Sequence, residues 1–138
     1  MPEHNKSRGK RTITLSKSDF ERLTLLADAI AERNAELSEV LFTELDRAKI
    51  IADHLVPETV IRVGSTATYR TETGEERVAT LVLPADADIE KNRISVLTPV
   101  GVALIGLSPG QSMEWTARDG RRHALTVESV EAPADVAT

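Results

Sequence analysis

The forty residues from Ser16 to Leu55 contain neither glycine nor proline, and that run constrains the fold more than any other feature of the chain. Both residues interrupt regular structure, so a long stretch without them favours helix. The remainder contrasts sharply, with Pro57, Gly64, Gly74, Pro84, Pro99, Gly106, Pro109, Gly110 and Gly120 at short intervals. A helical front half and a turn-rich back half follow. A chain of 138 residues holds one ordinary domain, or a small domain with an appendage.

Two helices are predicted in the front half. Ser16 and Ser18 each stand three residues before an acid, Asp19 and Glu21, which is the capping-box spacing of a helix start. Phe20, Leu23, Ala27 and Ile30 then recur at steps of 3, 4 and 3, and Leu26 widens the stripe. The stripe lapses through residues 32–36. It resumes at Leu37, Leu41, Leu45, Ala48, Ala52 and Leu55, flanked by Val40 and Ile51, with Ser38 as the expected second N-cap. Two striped helices joined by a short polar segment bury their stripes against each other. The expectation is an antiparallel helical hairpin over residues 12–55, with Leu23, Ala27, Ile30, Leu41, Leu45 and Ala48 in its seam. An arm of roughly 18 residues would reach about 27 Å.

The back half predicts a small antiparallel sheet crossed by one short helix, an α+β domain over residues 56–131. Strands are expected at Val60–Val63, Ser65–Thr71, Arg77–Leu83, Ile94–Leu97, Ser112–Ala117 and Ala124–Val130, with turns at Thr73-Gly74 and Asp119-Gly120. Thr98 as N-cap, Pro99 at the first helical position and Gly106 as the stop delimit the helix. Residues 1–11 form a basic tail, expected to be a solvated, disordered terminus rather than a nucleic-acid arm, and residues 132–138 a frayed one.

Composition removes several chemistries. The chain has no cysteine, three scattered histidines, four aromatic residues and a net charge of −5. Thiolate catalysis, Cys-ligated metals and a base-stacking platform are therefore excluded, and whole-surface nucleic-acid binding is disfavoured. No nucleophile elbow, phosphate-cradling loop, dinucleotide fingerprint or zinc-protease motif is present. His54 fits a cation at a helix C-terminus and His123 a surface strand position. The longest mostly apolar stretch, Val100–Leu107, is far short of the roughly 20 residues that a membrane span requires. The basic start lacks the apolar core of an export signal, so the expected compartment is the cytoplasm. One acidic group stands out: Asp28, Glu32, Glu36 and Glu39 surround the hairpin tip, opposed by Arg33. Such carboxylates can help hold Mg²⁺ at a partner's active site, or simply solvate a helix end.

Several segments resemble the transcription-elongation Gre family, and within it the Rnk-like branch. They are Glu44–Ala48, Thr80–Asp86, and above all Ile94–Leu107, closed by Gly110 and Glu114-Trp115. The resemblance implies a short antiparallel coiled coil on an FKBP-like C-terminal domain. It also implies a non-catalytic regulator, without metal or cofactor, whose partner is the core enzyme of bacterial-type RNA polymerase. The globular domain would dock at the rim of the secondary channel through Leu97, Thr98, Pro99 and Val100, while the coiled coil enters it with Glu32, Glu36 and Glu39 at its tip. Gre factors carry an Asp-Leu-Ser-Glu tip that assists RNA cleavage; here it is Glu36-Leu37-Ser38-Glu39 on a shorter arm. Two further departures are Leu97-Thr98 where an acid and a serine often precede the proline, and Val63-Gly64-Ser65 where Rnk-like proteins usually have Met-Asn-Ser. The expected action is competition with cleavage-stimulating Gre factors by a monomer that meets nucleic acid only through the transcription complex. Regulation of nucleoside diphosphate kinase and prolyl isomerisation are the alternatives.

Overall fold

A computed structural model describes residues 13–116 and 120–133. The first described element is a short strand, β1 (Thr14–Ser16), which runs directly into helix α1 (Lys17–Ile30). Helix α2 (Ala35–Arg47) returns after a four-residue connection and ends in a second short strand, β2 (Lys49–Ile51). The two strands pair in parallel, Thr14 with Lys49 and Ser16 with Ile51, so the hairpin is tied at its root.

The seam is largely as the periodicity predicts. Leu23, Ala27, Ile30, Leu41 and Leu45 are buried, and Ala48 packs at the edge of the same core. The end of the second helix is a correction. Helix was expected to continue through Ala52 to Leu55, but α2 stops at Arg47 and Ala48 is already extended, with ψ of 145°. The β-branched Ile50 and Ile51 suit a strand, and Ile13 supplies the partner: its carbonyl accepts from the Lys49 amide at 2.8 Å. Leu55 falls in a 3-10 turn (Asp53–Leu55) and is 62% exposed. The arm is thus a 13-residue helix, about 20 Å long, instead of 18 residues and 27 Å.

The back half forms a five-stranded sheet from β3 (Thr66–Thr71), β4 (Glu76–Val82), β5 (Arg93–Ser95), β6 (Ser112–Thr116) and β7 (Arg122–Glu131). The spatial order is β5-β4-β3-β7-β6. The sheet is mixed, not purely antiparallel, because β5 lies parallel to β4 after a crossover built from two 3-10 turns. Val60–Val63 is not a strand. Its backbone instead ties the core together, since the Ile61 amide donates to the Leu107 carbonyl and the Gly106 amide donates to that of Ile61. The expected turn at Asp119 and most of the two expected tails lie outside the described residues.

Helix α3 (Pro99–Leu104) has the predicted cap: the Thr98 hydroxyl accepts from the Gly101 amide at 3.0 Å. Gly106 ends it with φ of +81°, and a Cβ there would sit 2.7 Å from the Ile13 Cβ. The Thr14 amide donates to the Gly106 carbonyl. The hairpin root and the helix stop are therefore one contact. A single apolar cluster runs from Leu23 and Leu41 in the hairpin to Leu81, Leu104 and Leu125 around the sheet.

Candidate functional site

Three regions of this fold bear on function: the tip, the edge before α3, and the junction between hairpin and sheet. At the tip, Asn34 rather than Ser38 caps α2, its Oδ1 accepting from the Leu37 amide at 3.1 Å. Ser38 is buried, and its hydroxyl donates to the Ala27 carbonyl across the hairpin at 2.8 Å. That bond pins the two helices just below the tip. Glu36 and Glu39 consequently lie in the first turns of α2, three apart on one exposed helix face, while Glu32 is exposed in the connection. Negative charge at a helix N-terminus is favourable in itself. Among the described residues, no group of three or more His, Cys, Asp and Glu side chains is arranged to hold a metal ion.

The edge before α3 is a connected turn. The Leu97 amide donates to the Ser95 hydroxyl at 2.9 Å, and the Thr98 hydroxyl donates to the Ser95 carbonyl at 2.8 Å. Pro99 is exposed, whereas Leu97 and Val100 are half-buried against the core. The structure therefore brings Leu97, Thr98, Pro99 and Val100 together on one edge and leaves part of each apolar side chain available. Glu32, Glu36 and Glu39 form the separate group at the hairpin tip.

The junction was not legible in the sequence. Asp19, expected as a capping-box acid, is only 3% exposed, and its Oδ2 accepts from the Val63 amide 44 residues away at 3.0 Å. Ser16 does cap α1, accepting from the Asp19 amide at 3.0 Å. Ser18 does not; its hydroxyl and amide both donate to Asp53, which thereby satisfies the helix start from outside. Arg22 and Arg62 lie near both carboxylates. Burial pushes the Asp19 carboxyl up from its ordinary value against the opposing pull of the Val63 amide and these arginines, with the Asp53 charge adding to the rise. The Ser18 hydroxyl and amide hold Asp53 below its own.

The two shifts have opposite consequences. Asp53 contributes stability above the ordinary carboxylate range that is lost on acidification. Ionising Asp19 costs stability as pH rises from about 3.8 through its raised value. Asp19→Asn should therefore gain on the wild type between pH 3.5 and pH 7 in urea unfolding. A variant that instead loses ground over that interval would show that the folded state favours the Asp19 anion.

The comparisons with known proteins agree with this architecture. Residues 56–132 match the family described as Transcription elongation factor, GreA/GreB, C-term, and residues 11–51 match the Rnk N-terminus. The chain belongs to the GreA/GreB family of transcription elongation factors, with an N-terminal segment of the Rnk type. It is 35% identical over 121 residues to the Regulator of nucleoside diphosphate kinase of Escherichia coli (strain K12), covering 87% of this chain and 89% of that protein. Identity to Transcription elongation factor GreA of Azorhizobium caulinodans is 36% over 97 residues, or 70% of this chain and 59% of that one. Among solved structures, the prokaryotic transcription elongation factor GreA/GreB from Nitrosomonas europaea aligns with a TM-score of 0.69 at 35% identity, covering 86% of this chain and 98% of that one. No helix among the described residues is long and apolar enough to cross a membrane.

Proposed function

We propose that this protein is a non-catalytic regulator that binds bacterial-type RNA polymerase at the secondary channel and competes there with cleavage-stimulating Gre factors. Family membership supports the partner. The observation that carries the non-catalytic half is the length of the arm. With α2 ending at Arg47, each helix is about 20 Å long, and Glu36 and Glu39 stand at the end of a hairpin shorter than the one the resemblance implies for a Gre factor. Ligation of Mg²⁺ demands oxygen at about 2.1 Å, so a shortfall of even one helical turn abolishes it. The tip acids then contribute negative potential or a contact with basic polymerase groups.

In this reading the globular part, FKBP-like by resemblance, supplies most of the binding through Leu97, Thr98, Pro99 and Val100. The half-burial of Leu97 refines how that edge is tested. A charged side chain at Leu97 would disturb the core as well as the surface, so the exposed Pro99 is the cleaner probe. The working state is a cytoplasmic monomer, since the hairpin buries its own apolar seam.

A transcript-cleavage assay on stalled complexes tests the proposal. The wild type should release no more short RNA than buffer does, and it should slow release by an added Gre factor. Glu36→Ala/Glu39→Ala should retain at least part of that inhibition. Robust cleavage by the wild type, lost in the double variant, would restore a catalytic role. The name of the Escherichia coli relative raises a second reading, direct regulation of nucleoside diphosphate kinase. Retention of the protein by purified core polymerase separates the two.

A further inference from the structure

Helix α1 is tied to the sheet by a carboxylate that a helix start does not require. Ser16 already caps α1, and an acid in the first turn interacts favourably with the helix dipole while remaining in water. Asp19 is instead buried, with its Oδ2 accepting from the Val63 amide. The turn that carries Val63 is itself bonded to β4. There the Gly64 amide donates to the Leu81 carbonyl at 2.6 Å, and the Leu81 amide donates to the Ser65 carbonyl at 2.9 Å. Asp53 makes the reciprocal tie, reaching from the segment between hairpin and sheet to the amide and hydroxyl of Ser18. Two carboxylates thus bridge the first turn of α1 and residues 53–63 in opposite directions.

The apolar contacts across this junction form without such help. Ile13, Leu15, Leu23 and Ile61 are fully buried in one cluster. Apolar burial is non-directional, so it holds the hairpin on the sheet but constrains its angle weakly. A hydrogen bond weakens steeply outside a narrow range of distance and angle. A buried carboxylate also costs stability when it ionises, as the upward push of burial on Asp19 records. The half-exposed Arg22, 3.9 Å away, offsets little of that cost. A polar group kept in a core at a cost in stability is one that specifies a geometry.

We infer that Asp19 is a positioning residue: opposed by Asp53, its carboxylate sets the direction in which the helical arm leaves the sheet. The arm amplifies that setting. Over a helix about 20 Å long, a rotation of about 6° at the root displaces the tip by about 2 Å. The inference concerns the molecule by itself and holds whether or not RNA polymerase is the partner.

The chain has no cysteine, so spin labels can be placed at two chosen sites alone. With Arg33→Cys in the exposed connection and Val78→Cys on the exposed face of β4, double electron–electron resonance reads the distance from tip to sheet in the full chain. Asp19→Asn retains a side-chain oxygen for the Val63 amide and should keep the mean and width of the doubly labelled parent. Asp19→Ala and, separately, Asp53→Ala should each shift the mean or broaden the distribution by about 2 Å or more, measured well below the melting temperature. A role confined to stability would lower the melting temperature of Asp19→Ala and leave the distances alone. That result, or a displacement in Asp19→Asn as large as in Asp19→Ala, would overturn the proposal. If Asp19→Ala fails to fold, Asp53→Ala decides, and unchanged distances there overturn it equally.

Discussion

Replacing Leu45 with alanine should lower the free energy of unfolding by about 2–5 kcal/mol, the range for a leucine removed from a closed core. Leu45 is 4% exposed and belongs to the same apolar cluster as Leu23, Ala27, Leu41 and Ile61. Because that cluster extends from the hairpin into the sheet, the loss should appear as one shifted transition rather than separate melting of the arm. Denaturant titration reads this directly, as a lower midpoint with an unchanged slope. Leu25→Ala provides the contrast, since Leu25 points to solvent on the same hairpin and should cost little. A loss below about 0.5 kcal/mol at Leu45 would mean that the seam is mispaired.

Gly101→Ala should destabilise the protein by about 1–3 kcal/mol or more, against the usual sign of that exchange inside a helix. A Cβ at Gly101 would lie 2.3 Å from the Ser95 carbonyl oxygen and 2.9 Å from the Val96 Cα. Both are backbone atoms, so no side-chain rotation relieves the clash. Either α3 must lift from β5 or the turn through Leu97 and Thr98 must deform. Thermal melting tests the stability, and polymerase binding by the folded fraction tests whether this edge is where docking occurs. A variant more stable than the wild type would show that α3 is not seated as described.

The elements that periodicity reveals are those whose determinants are local. The stripe from Leu23 to Leu45 and the Thr98–Pro99 helix start depend on neighbours within a turn or two, and both are present as expected. The end of α2 is different. Ala52 and Leu55 continue the apolar period, and what overrides it is a backbone partner at residues 13–16, which no local pattern announces. Asn34 and Ser38 are both competent caps by type. Only the approach of the Ala27 carbonyl decides that Ser38 serves as a pin. Asp19 likewise has the spacing of a capping acid but is drawn to Val63 by the packing of the hairpin root on the sheet. Tyr69 and Trp115, far apart in sequence, line one cavity only because β7 lies between β3 and β6.

The parallel pairing of β1 with β2 makes the chain enter and leave the hairpin side by side. The helical arm is therefore a cassette whose two ends share one fixed mount. Adding or removing matched helical turns beyond Asp19 and Glu44 would move the tip outward or inward in steps of about 5.4 Å. The buried carboxylate, the Ile13–Gly106 contact and the sheet would remain where they are. Reach and attachment are separable quantities in such a protein, so the depth of the probe is free to vary while the mount stays constant.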